Sequence, residues 1–173
     1  MSNNAISLLR AQYTQMFGWL EGTMAGVSDE VMHYVPPGDT VATIGAQAAH
    51  IVTGVDGFLL GMAAGQAPLM ASSYANKTGI SEPPPQGGDW GDWKHTVLIN
   101  GPELHEYAKA VFAAADSYLA TLSDSDLENE LDMGSAGKQT LQWVLTIMIL
   151  NTYSHTGEIA AIKGLQGLKG YPF

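Results

Sequence analysis

Asn151, His155 and Glu158 are polar residues set into an otherwise apolar run near the carboxyl end of the chain. Between Gly137 and Gly167 the sequence reads GKQTLQWVLTIMILNTYSHTGEIAAIKGLQG, in which Leu141, Val144, Leu145, Met148, Thr152, His155, Ile159 and Ile162 recur at the three-and-four spacing of one α-helix face. His155 lies inside that stripe. Asn151 stands one turn before it and Glu158 three residues after it, both toward one border, so the three side chains can reach a common point. An imidazole, an amide and a carboxylate on one side of a helix are the donor types of a helical metal site. The plainer alternative is a buried histidine that hydrogen-bonds a neighbour and does no chemistry.

A site needs a second wall, and the stretch from Thr40 to about Met62 offers one. Thr40 reads as a helix cap, and Val41, Ile44, Ala48, Ile51, Val52, Val55, Leu59 and Met62 mark a core face. His50 falls opposite that face, on a strip of Thr43, Gln47, Gly54, Gly57 and Gly61. A row of glycines makes a weak solvent face, since each costs about 0.5 to 1 kcal/mol against alanine inside a helix. Close approach of another backbone or of a ligand would explain the row, and a helix covered on both sides would leave His50 in a gap between helices. The alternative is a solvent-facing histidine on a weakened helix.

Two more helical patterns complete the set. The first runs from Asn4 to about Thr23, with Ile6, Leu9, Tyr13, Met16, Phe17 and Leu20 on one face. Pro36-Pro37-Gly38 then ends any helix, in a segment where His33 is expected to be exposed. The third follows Pro102, with Leu104, Ala108, Val111, Phe112, Ala115, Tyr118, Leu119 and Leu122 on its core face. His105-Glu106 lacks a second histidine four residues on, because position 109 is Lys109, so no zinc-protease helix is present. The acidic run through Asp124, Asp126, Glu128, Glu130 and Asp132 lacks the glycine and ligand alternation of a calcium loop and reads as a solvated, helix-starting turn. Gly134 and Gly137 precede the fourth helix, which ends among Gly164, Gly167 and Gly170, and Tyr171-Pro172-Phe173 is expected to pack back.

The expected fold is therefore all-α, a four-helix bundle with a long connection between the second and third helices, formed by one domain over residues 1–173. That connection, residues 63–100, carries Pro83-Pro84-Pro85, Gly87-Gly88 and the pair Trp90 and Trp93. The two tryptophans can serve as anchors of a lid or as plugs in the side of the core. Trp143, Ile147 and Leu150 lie off the main stripe of the fourth helix, which makes it apolar nearly all round and points to a homodimer, unless the long loop covers that face.

Seven Lys plus Arg against seventeen Asp plus Glu give a net charge of −10, which leaves no basic footprint for nucleic acid or an anionic membrane. MSNNAISLLR has neither the basic start nor the apolar core of a signal peptide, and Trp143–Leu150 is too short to span a bilayer, so a cytoplasmic location is expected. With no cysteine, metal ligands must be nitrogen or oxygen, and any thiol must arrive as a cosubstrate.

The combination of TVATIGAQAAHIVTGVDGF, from Thr40 to Phe58, with NTYSHTGEIAAIKGLQG, from Asn151 to Gly167, resembles the DinB/YfiT-like superfamily of metalloenzymes. The resemblance implies a commonly dimeric four-helix bundle whose metal, of nickel or zinc character, is held by one histidine of the second helix and two histidines of the fourth. It makes His50 the first ligand and His155 the last, and it places Asn151 where the middle histidine belongs. A neutral amide is a poorer ligand than imidazole, so a His50, Asn151 and His155 site should hold nickel or zinc less tightly, unless Glu158 completes the set or supports it from outside. The implied activity is that of a metal-dependent transferase or hydrolase acting with a small-molecule thiol. The rival expectation is a metal-free, non-catalytic dimeric bundle that binds a small apolar ligand or a partner.

Overall fold

The computed structural model describes residues 4–38, 40–85, 87 and 89–173. Met1, Ser2 and Asn3 of the opening decapeptide, and Gly88 of the glycine pair in the long connection, lie outside the described residues. The chain is mostly helical. Helix α1 spans Asn4–Met24 and buries Ile6, Tyr13, Met16, Phe17 and Leu20, as its spacing requires. A short helix α2, Asp29–Met32, follows with Ser28 as its cap.

Helix α3 begins at Ile44, because the Thr43 hydroxyl rather than that of Thr40 accepts the Ala46 N–H at 3.2 Å. It runs α-helical to Gly54 and then widens into a π-helical segment over Val55–Ala63. Ile44, Ala48, Ile51, Val52, Val55 and Leu59 are buried as expected, whereas Val41 and Met62, at the two ends, are exposed. The glycine row has a mixed origin. A β-carbon on Gly61 would sit 3.1 Å from the Pro68 ring, but nothing lies within 4 Å of one built on Gly54 or Gly57.

A one-turn helix α4, Trp93–Thr96, leads into α5, Gly101–Leu119, capped by Asn100 and with Pro102 in its first turn. The acidic run departs from the expected turn. After a 3₁₀ turn at Asp124–Glu128, boxed by Ser123 and Asp126, the chain forms strand β1, Glu130–Asp132. Strand β1 pairs antiparallel with β2, Lys138–Thr140, in the register Glu130 to Thr140. Gly134 and Gly137 reverse the chain between them at φ of 63° and 71°, backbone that favours glycine. Helix α6 then spans Leu141–Leu165, capped by the Thr140 hydroxyl.

The four long helical segments meet around a shared apolar interior. Helix α6 packs against α1 and α3, and α5 packs against α1 and the π-helical part of α3. Tyr13 ties the first helix to the last by donating to the Leu145 carbonyl at 3.0 Å. The tail packs back as expected, with Trp19 against Tyr171 and Phe173 at ring separations of 6.0 and 4.8 Å. No helix among the described residues is long and apolar enough to cross a membrane.

Candidate metal and ligand site

Helices α3 and α6 bring His50, Asn151, His155 and Glu158 together. The His50 and His155 rings meet nearly edge to face with centroids 4.9 Å apart. Asn151 Nδ2 lies 3.3 Å from His50 Nε2, so the amide donates and the ring nitrogen accepts. His50 therefore sits between helices, and the solvent-facing alternative does not hold. Burial, and secondarily the neighbouring His155, lower its pKa from 6.5 to about 4, which keeps the ring neutral near pH 7.

His155 is oriented by two acceptors. Its Nδ1 lies 2.8 Å from Glu158 Oε2 and 3.2 Å from Gln47 Oε1. The Gln47 amide is fixed the right way round, since its Nε2 donates to the Ala42 carbonyl at 3.2 Å. Two oxygens facing Nδ1 require the proton on that atom, which leaves Nε2 of the neutral ring with its lone pair. Gln47 is fully buried and was legible only as a member of the strip opposite the aliphatic face; its place one turn before His50 is the signal that it shares the site. Glu158 supports His155 from the outer side, half exposed.

The two tryptophans divide the roles of lid and plug. Trp93 is buried and donates its indole N–H to the Glu82 carbonyl at 3.0 Å, so it seals the core. Trp90 covers the histidines, with ring centroids 4.5 Å from His50 and 5.6 Å from His155. Beside it opens a cavity of about 270 Å³ lined by Thr40, Val41, Ala42, Asp89, Trp90, Lys94, His155 and Glu158.

A larger groove, about 1040 Å³, has a different lining that includes Asp29, His33 and Glu103. His33 is half-buried rather than exposed, and both of its ring nitrogens are engaged. Nδ1 faces the Asp29 carbonyl at 2.9 Å and Nε2 accepts the Ile99 N–H at 3.0 Å, so this histidine is a strut. The smaller cavity is the one that His155 and Glu158 line.

His50, Asn151 and His155 are the residues that could hold a divalent transition metal. Two imidazoles, His50 and His155, face each other, but the third donor is an amide, and among the described residues no three His, Cys, Asp or Glu side chains converge as a ligand set. Glu158, turned onto Nδ1 of His155, occupies the outer position of a carboxylate that orients a ligating histidine.

A model of the DinB superfamily matches residues 12–159. No curated protein matches the sequence. Among solved structures, the chain is similar to a conserved protein from Enterococcus faecalis, with a TM-score of 0.75 and 18% identity over 92% of this chain and 95% of that one. A DinB-like protein from Bacillus cereus is similar with a TM-score of 0.63 and 19% identity, over 94% of this chain and 93% of that one. At these identities the likeness to the two structures is one of fold alone.

Proposed function

The chain belongs to the DinB superfamily, and from that premise we propose that it is a metal-dependent enzyme, a transferase or hydrolase that acts with a small-molecule thiol. The four long helices are read as the four-helix bundle of one such domain. The observation that carries the reading is the facing pair of imidazoles, His50 from α3 and His155 from α6, with centroids 4.9 Å apart beside an open cavity. His50, Asn151 and His155 would hold nickel or zinc, with Asn151 the weakest donor. Such an ion, when bound, acts as a Lewis acid and lowers the pKa of a coordinated thiol or water.

The remaining tasks fall to the chain itself. Glu158 and Gln47 keep the His155 proton on Nδ1 and fix the plane of the ring. Trp90 excludes water from the inner side of the pair. Glu158, at the rim of the cavity, is the carboxylate placed to take a proton from a substrate entering there.

One observation favours a second reading. The Asn151 amide already donates to His50 Nε2, the lone pair a metal would use. A metal-free dimeric bundle that binds a small apolar ligand or a partner needs no change in that contact. Metal content per chain, measured by mass spectrometry on tag-free protein, separates the two. Near one nickel or zinc per chain, lost in His50→Ala and raised in affinity at least tenfold in Asn151→His, is the expected result. No metal after incubation with excess ion would overturn the metal reading and leave the second.

A further inference from the structure

We propose that the cavity beside His155 takes a small molecule bearing a single carboxylate, and that Lys94 is the residue that selects it. This names the substrate class of the candidate site and rests on the placement of that site at His155, but not on a bound metal.

Four ionisable side chains line the cavity: Asp89, Lys94, His155 and Glu158. Three of them are engaged. Asp89 Oδ1 accepts the Gly91 N–H at 2.9 Å, and Glu158 Oε2 and His155 Nδ1 hold each other at 2.8 Å. The Lys94 ammonium makes no ion pair or hydrogen bond with any described residue. In a chain with seventeen Asp plus Glu and seven Lys plus Arg, a half-buried lysine beside two carboxylates that are turned to other partners is a vacant cation on the wall of a cavity.

The backbone beneath Lys94 is pinned. Its carbonyl accepts the N–H of Thr43, the cap of α3, at 3.0 Å. On one side of it His95 Nε2 lies 2.9 Å from the Val41 carbonyl, and on the other Trp93 is fastened to Glu82 at 3.0 Å. Helix α4 is thereby stapled to the start of α3, and the lysine stem leaves from a fixed base. A charge carried on a fixed base needs less ordering when a ligand arrives.

Size and charge narrow the ligand. About 270 Å³ is the space of about nine waters at roughly 30 Å³ each, enough for a molecule of about ten non-hydrogen atoms. Asp89 and Glu158 share the lining, so a phosphate dianion would meet two carboxylates for one ammonium, whereas a monoanion meets half that repulsion. The net charge of −10 disfavours anions over the molecule as a whole, which makes the local lysine decisive. The carboxylate would sit at Lys94, the body along Trp90 and the reactive end toward His155.

The test is titration calorimetry on chelator-treated, metal-free protein with N-acetylcysteine and with its uncharged twin, N-acetylcysteine amide, both kept reduced. The wild type should bind the acid at least tenfold more tightly than the amide. Lys94→Met should abolish that preference and Lys94→Arg should retain it, with unchanged thermal unfolding midpoints showing that each variant folds. Equal binding of acid and amide by the wild type, binding of neither at tens of millimolar, or a preference that survives in Lys94→Met would each overturn the proposal. A repeat in the presence of zinc separates it from the metal reading. A charge preference in protein that never takes up zinc sustains Lys94 while the metal reading falls.

Discussion

Burial and the neighbouring His155 ring press the His50 imidazole down to a pKa of about 4 from the usual 6.5. The unfolded chain therefore takes up a proton near pH 6.5 that the folded chain refuses until about pH 4. The stabilisation is complete above pH 6.5 and is lost as the pH falls to about 4, below which this group adds no further slope. A shift of this size corresponds to roughly 3 kcal/mol. Urea unfolding between pH 7 and 4 should show that decline in the wild type and lose it in His50→Gln. His155 and Glu158 were legible from their spacing on one helix, because a three-residue step on a helix is a contact. His50 and Gln47 were harder to read, since they lie opposite the aliphatic face and only the arrival of α6 shows that this side is covered too. Lys94 could not be found at all from sequence, as nothing in the neighbouring residues reveals that the start of α3 passes beside it.

At the scale of elements, the widened part of α3 does the joining. Asp56 is fully buried there, and its carboxylate accepts the N–H groups of Leu69 and Met70 at 2.7 and 2.8 Å and the Tyr107 hydroxyl at 2.7 Å. One side chain thus fastens the start of the long connection and helix α5 to helix α3. Asp56→Ala would leave two amides and a hydroxyl without their acceptor, at a cost of about 3 kcal/mol or more. Thermal unfolding should show that loss, with Tyr107→Phe losing about half as much. The four long helices could be read because each carries a stripe of period 3.6. The change from α to π geometry after Gly54 could not, since apolar residues continue through it. Strands β1 and β2 are three residues each, too short for alternation to stand out from an acidic turn. The start of α3 was misplaced by three residues because Thr40 and Thr43 are equally good caps on paper, and only the observed bond to Ala46 decides between them.

At the scale of the molecule, α6 keeps apolar surface on the side away from its own core. Trp143 is 38% exposed and Leu150 is 55% exposed, so the long connection does not cover them. A second copy of the chain is the proposed cover, in keeping with the expectation of a homodimer. Light scattering after size exclusion should find a dimer in the wild type and a monomer in a Trp143→Glu, Leu150→Glu double variant that still unfolds cooperatively; a wild-type monomer at tens of micromolar would refute it. The site itself also exists only at this scale, for its walls come from α3 and α6 and its roof from the connection between α3 and α5. That roof has a consequence in time. His155 faces the cavity but His50 does not, because the Trp90 indole lies against it. Whatever settles on His50 departs no faster than the indole swings aside, so a weak donor set is still compatible with a long residence.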